Sequence, residues 1–206
     1  VVTSRGASMG NAQDSIPSRL ARGEQFDIVI LADGALDNLA AQGKVEAGSR
    51  VDLARSMIGM SVRKGTPKPD ISTVDALKQT LLDAKTIAYS ASASGTYLAN
   101  ELCPRLGVAE QMKGKATRIL SERVGAVVLR GDADIGFQQV SELLPFKELE
   151  FVGPLPDEVQ QRVFFSAGVA TGAKSPETAR HLIRFLAAPA AAPIVRSTGM
   201  EPAAKP

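Results

Sequence analysis

The chain is poor in the residues that announce chemistry on their own. Its 206 residues include one cysteine, one histidine, no tryptophan and only 4% aromatics. A single cysteine excludes an internal disulfide, so cysteine usage does not fix a redox compartment. Cys103 stands in "ANELCPRLG", at the end of an expected helix, where a free cysteine packs as a small hydrophobe rather than acting as a nucleophile. His181, in "ETARHLIRF", lies mid-helix close to Arg180 and Arg184 and far from any nucleophile-elbow motif, which leaves no Ser-His-Asp triad. No Cys/His cluster supports zinc, and no metal site is expected. Neither a Walker A motif nor a dinucleotide glycine fingerprint is present, so no cofactor is expected. The net charge is only +2 and the basic residues are scattered. With so few aromatics to stack bases, a nucleic-acid partner is not expected. No apolar run approaches the ~18 residues of a membrane span, so no direct membrane insertion is expected. No signal peptide is visible, and the chain opens on "VVTSRGASMG", read as strand followed by loop. Residues before Val1 are expected to have been removed or not represented.

What is present is the composition of a globular fold, with 44% hydrophobic and 22% charged residues. The length suits one large domain or two small ones. Short apolar runs alternate with helical segments. Strands are expected at Val1–Ser4, Phe26–Ala32, Ser56–Gly65, Thr86–Ala91, Ala116–Leu120, Ile135–Gln138, Leu149–Pro156 and Val163–Ala173. The run "FDIVILA" reads as a strand buried on both faces. Helices are expected over Met9–Glu24, Gly34–Lys44, Thr73–Ala84 and from Gly95 onward. Others are expected after an N-cap at Ser121, and after Ser175-Pro176, a cap followed by proline at the first helical position. This alternation predicts an α/β fold with mainly parallel sheets flanked by helices. Two long strands, near 55–63 and 162–172, are each placed to run between two lobes.

Open α/β sheets bind ligands at the carboxyl ends of their strands. Three such loops are rich in small polar residues: Thr3 to Ser8, Ser90 to Thr96, and Gln138 to Ser141. The stretch "AYSASASGTY" (88–97) reads as a cap and anion cradle, with Ser94 or Ser92 as the cap and the Gly95 and Thr96 N–H groups facing a ligand. A bare helix cap followed by loop remains the alternative. Arg5 sits in a Gly/Ser-rich loop with Ser4 and Ser8, where a guanidinium either clamps a carboxylate or rests on the surface. Tyr97 either covers the ligand or packs as core. One of Gln138 and Gln139 is expected to point inward. Asp33 either receives a hydroxyl or cation, or caps a helix.

Four segments in order resemble the molybdate-binding family of periplasmic solute-binding proteins that serve ABC transporters: "IPSRLARGEQFDIVILADGALDNLAAQGKV", "SGTYLANELCPRLGV", "LRGDADIGFQQVSEL" and "FFSAGVATGAKSPETARHLIRFLAAPAAAPIVRSTGM". The resemblance implies a periplasmic-binding-protein-like fold of two lobes with an anion in the cleft between them. Lobe one would be 1–61 plus 163–206, lacking an earlier strand, and lobe two 62–162. It implies a small anionic ligand, a membrane ABC permease as partner and a periplasmic location. By position it carries ligand contacts onto Ser8, Ser94, Val124 and Gln139. The family usually has tyrosine where Gln139 stands, and Arg5 with several serines suits an organic carboxylate better than a compact oxyanion. The chain is as similar to the aconitate isomerase-like subgroup, which acts on small unsaturated tricarboxylates. The sequence therefore ranks anion capture first, because the visible loops suffice for it. Isomerisation comes second, since no base is identified for it. A ligand-sensing domain of a larger regulator stands as a third reading of the same fold.

Overall fold

The computed structural model describes residues 1–10 and 12–203. In chain order the elements are α1 (Ile16–Ala21), β1 (Ile28–Ala32), α2 (Asp33–Ala41), β2 (Val51–Arg63), α3 (Val74–Asp83), β3 (Ile87–Ser90) and α4 (Ala93–Tyr97). A π turn (Leu98–Leu102) continues α4 into α5 (Cys103–Arg105). There follow α6 (Ala109–Met112), β4 (Ala116–Ile119), α7 (Val124–Arg130), β5 (Ile135–Gln139), α8 (Val140–Leu143), β6 (Leu149–Pro154), β7 (Arg162–Val169), α9 (Pro176–Ala187), α10 (Ala192–Ser197) and β8 (Glu201–Pro202). The chain forms two compact units, residues 1–56 with 163–206, and residues 57–162. The first boundary falls within β2, between Ser56 and Met57, earlier on that strand than the expected break after residue 61. The second falls at the start of β7, between Arg162 and Val163.

In the first unit, β1 pairs antiparallel with β7, which lies between β1 and β2, and the opening of β2 pairs with β8. Val29 and Leu31 of β1 face a core with Leu20, Leu36 and Leu39, while Ala167 and Val169 of β7 face Ala179 and Ile183 of α9. The expectation that β1 is buried on both faces fails at Ile30, which remains 42% exposed on this edge strand, although on the same face Ile28 packs against the α9 cluster and Ala32 is buried. Residues 1–4 form no strand, contrary to expectation. The helix expected over Met9–Glu24 shrinks to Ile16–Ala21, with Asn11 outside the described residues. Ser15 caps it by accepting the Ser18 N–H at 3.3 Å. Pro17, which cannot sit in a helix interior, fixes the first turn just beyond that cap.

The second unit carries the βα geometry that positions a site. β4, β3 and β5 run parallel in that order, and β2 runs antiparallel to both β5 and β6. The sheets are therefore mixed rather than mainly parallel. The helical crossovers from β3 to β4 and from β4 to β5 return the chain in parallel, while β2, although α3 also follows it, runs the opposite way to β5. One face packs Ile58, Met60, Ile87 and Phe137 against Leu77, Leu81, Leu98 and Leu102. The opposite face packs Ala88 against Val124, Val127 and Val128 of α7. Lys115 locks α3 to the start of β4, its ammonium donating to the carbonyls of Leu81, Leu82 and Ala84 at 2.7–3.0 Å. Those are terminal helix carbonyls with no partner of their own, and a cation there also suits the helix dipole.

Candidate functional site

The site is built where β3 ends. Ser90 closes the strand, Ser92 is extended at the N-cap position, and the helix starts at Ala93, two residues earlier than expected. The three hydroxyls form a chain. Ser90 Oγ lies 2.7 Å from Ser92 Oγ and 2.9 Å from Ser94 Oγ, and Ser92 and Ser94 are 3.5 Å apart. Ser94 is 1% exposed and Ser90 is buried, while Ser92 is half-buried. A hydroxyl has one proton to donate. Of the two directions in which the chain can run, Ser94 donating to Ser90 and Ser90 to Ser92 leaves the Ser92 proton available outward. Ser92 is the most accessible of the three hydroxyls, with Ser94 buried behind it. Neither serine caps the helix through its side chain. The first intrahelical bond runs from Thr96 N–H to Ser92 carbonyl at 3.0 Å, so the N–H groups of Ala93, Ser94 and Gly95 lie ahead of it, whereas that of Thr96 is already used.

Gly95 has a steric role that the sequence reading missed. A Cβ on it would sit 1.7 Å from the Ser90 carbonyl oxygen and 2.8 Å from Tyr89 Cδ2. Only glycine lets α4 close on the end of β3 and bring the serines together. Tyr97 is core: it packs with Leu98 and Leu102, and its hydroxyl donates to the Val159 carbonyl at 2.8 Å. Burial pushes its phenol pKa up, so it stays a protonated donor committed to the backbone rather than a ligand cover or a base.

Beside this cradle, Gln138 and Val124 satisfy one another. The Val124 N–H, expected to face a ligand, donates to Gln138 Oε1 at 3.0 Å in a buried bond. This side chain from β5 replaces the cap expected from Ser121, and α7 starts after Arg123 instead. Gln139 is 3% exposed and its Oε1 has no partner among the described residues. Its backbone sits at the N-cap position of α8. Arg118, which the sequence reading did not single out, lies in β4 in register with Tyr89 and donates from Nη2 to the Ala91 carbonyl at 3.3 Å. Nothing local marks it, because its place depends on the parallel pairing of β4 with β3.

In the first unit, Ser8 stands at the end of β1, its hydroxyl accepting the Ala32 N–H at 3.3 Å. Ser4 accepts from Arg19 Nη1 at 3.0 Å, and the Arg5 carbonyl accepts from the same guanidinium at 3.4 Å. The Arg5 side chain is exposed and has no hydrogen-bond or ion-pair partner among the described residues. Asp33 opens α2, with Arg50 3.9 Å from its carboxylate, in keeping with a helix-start role. The structure thus gathers Ser92, Ser94, Gly95, Thr96, Val124, Gln138 and Gln139 at the carboxyl ends of β3 and β5, and Ser4, Arg5 and Ser8 on the opening loop of the other unit.

Cys103 offers no chemistry. It is buried, and burial pushes its thiol up to about 11. In the folded chain at pH 8, a disulfide reagent is expected to modify it roughly 100-fold more slowly than in the denatured chain. Comparable rates in both states would show the thiol to be open. Among the described residues no three His, Cys, Asp or Glu side chains come together as a metal site, and no helix is long and apolar enough to cross a membrane.

A relative from Pseudomonas sp., named aconitate isomerase, is 47% identical over 195 residues, covering 95% of this chain and 74% of its own length. The periplasmic molybdate-binding protein of Azotobacter vinelandii superposes with a TM-score of 0.71 at 18% identity, over 92% of this chain and 82% of its own. The spermidine/putrescine transporter substrate-binding protein of Streptococcus pneumoniae gives 0.64 at 12% identity, over 90% and 72%. One of those two names an anion and the other polyamines, so the fold alone does not set the sign of the ligand's charge. The profile of the bacterial extracellular solute-binding protein family matches residues 1–201, and the chain belongs to that family.

Proposed function

We propose that this chain binds a small unsaturated tricarboxylate of the aconitate type and interconverts its cis and trans forms, in the periplasm or outside the cell. The observation that carries this reading is the 47% identity, over 95% of the chain, to a relative of that activity. The order of the two leading sequence readings is thereby reversed. The chemistry is a 1,3 proton shift. A proton leaves the methylene carbon, the double bond moves one position along, and a proton is returned to the former vinylic carbon. The charge that accumulates in between spreads onto a carboxylate, where the Ser92 hydroxyl and the leading N–H groups of α4 stabilise it. No base is assigned.

A second reading, capture of the same anion for hand-over to a membrane ABC permease, is favoured by one observation. The cradle's described side chains are hydroxyls and amides, with no histidine or carboxylate among them. One experiment separates the two. The chain is incubated separately with cis- and with trans-aconitate, the isomers are followed by proton NMR, and calorimetric titrations with trans-aconitate, citrate, sulfate and molybdate run alongside. The isomerase reading expects conversion toward the same isomer ratio from either side. Saturable aconitate binding without conversion leaves capture, and tight molybdate binding with no tricarboxylate binding overturns both.

A further inference from the structure

We infer that Arg118 is the carboxylate-binding residue of the serine cradle. Its guanidinium takes a carboxylate of the ligand and so fixes how the tricarboxylate sits against the serine loop. This rests on the functional reading above and names the group that recognises its substrate class. Arg118 lies on β4, and its Nη2 donates to the carbonyl of Ala91, the residue between Ser90 and Ser92. That bond uses one of five guanidinium donors and ties the group to the same loop that carries the hydroxyl chain.

The remaining donors have no carboxylate partner among the described residues. Other arginines of the chain are spent on acids: Arg50 on Asp37 and Asp52, Arg130 on Glu122 and Asp132, Arg162 on Asp157. Arg118, like Arg123, Arg184 and Arg196, has no acid partner among the described residues; of these it is the one bonded to the serine loop, so its fork stays open beside a set of neutral donors. A planar fork matches the two oxygens of a carboxylate in bidentate fashion. The opening loop's Arg5 belongs to the other unit and is not needed for this assignment.

The test uses the full chain and calorimetric titration with trans-aconitate. Arg118→Gln is expected to weaken binding about 10- to 100-fold, the loss of one charge-assisted contact. Arg118→Lys, which keeps the charge and loses the fork, is expected to fall between the two. The melting midpoint without ligand is expected to stay within about 2 °C of the parent, because the group is exposed and its one bond is long. Arg184→Gln, an exposed arginine on α9, is expected to leave affinity unchanged and controls for general charge. Unchanged affinity in Arg118→Gln overturns the inference. So does a lowered melting midpoint with equal losses in the Gln and Lys variants, since that is the mark of a loop brace. If the parent chain binds no tricarboxylate, the functional reading fails and this inference with it. Parent binding with an indifferent Arg118→Gln defeats the inference alone.

Discussion

Gly95→Ala is expected to destabilise the second unit by about 3 kcal/mol or more, lowering the melting midpoint by roughly 6–12 °C. Helix propensity alone points the other way, since alanine inside a helix is favoured over glycine by about 1 kcal/mol. Sterics decide the sign. The new Cβ would lie 1.7 Å from the Ser90 carbonyl oxygen, and that atom belongs to backbone. It cannot swing aside as a flexible side chain does, so either α4 lifts off β3 or the strand end shifts. Both separate Ser94 from Ser90 and break the hydroxyl chain, so ligand binding is expected to fall with stability. Gly172→Ala is the matched control. Nothing lies within 4 Å of its added carbon, and the effect is expected to stay within about 0.5 kcal/mol. A Gly95→Ala chain that melts at or above the parent temperature would show that the helix does not sit on the strand end as described.

The same contact shows how far the sequence could be read. The loop after β3 was legible because small hydroxyl residues lay between an apolar strand and a helical segment, and the structure places the hydroxyl chain there. Which serine faces outward was not legible. Ser92 and Ser94 differ only in their position on the first turn, and burial of Ser94 follows from the helix closing over it. Gly95 was read as a donor of its N–H. Its necessity comes from a close approach between two elements, which spacing does not reveal. Val124 was carried over as a backbone donor, but its N–H is taken by Gln138, fourteen positions along the chain. Long-range capping of that kind leaves no local pattern, and it also explains why Ser121 does not begin α7. Arg118 is the same case in another form, since only strand order brings β4 beside the serine loop.

The fold was read in the same uneven way. Strands β3 to β5 and their helices follow from alternating apolar runs. The direction of β2 does not, because a crossing strand and a crossover strand have the same composition. Pro104 illustrates a local signal with an indirect effect. It lies in the helical stretch that begins at Ala93, yet the helix does not stop. The π turn shifts the register so that Cys103 N–H reaches the Leu98 carbonyl, and the missing proline N–H falls within a ladder already offset by one residue.

Ser92→Asp is expected to abolish measurable binding of trans-aconitate, a loss of more than 100-fold, while leaving the chain as stable as the parent or slightly more so. The two halves of that outcome have separate causes. Ser92 occupies the N-cap position before Ala93 and makes no side-chain cap bond there. Aspartate is a preferred N-cap, and its charge suits the positive end of the helix. At the same point the new carboxylate faces any anion in the cradle. Two unit charges 4 Å apart repel by about 4 kcal/mol at an effective dielectric constant near 20, which alone exceeds two orders of magnitude in affinity. Ser92→Ala removes the outward hydroxyl without adding charge and is expected to cost about 10-fold in affinity, with little change in melting. The graded pair makes the site assignment falsifiable without relying on a misfolded variant. A Ser92→Asp chain that binds trans-aconitate as the parent does would place the ligand away from the β3 loop. It would then fall to Arg5 and Ser8, on the opening loop of the other unit, to hold the anion.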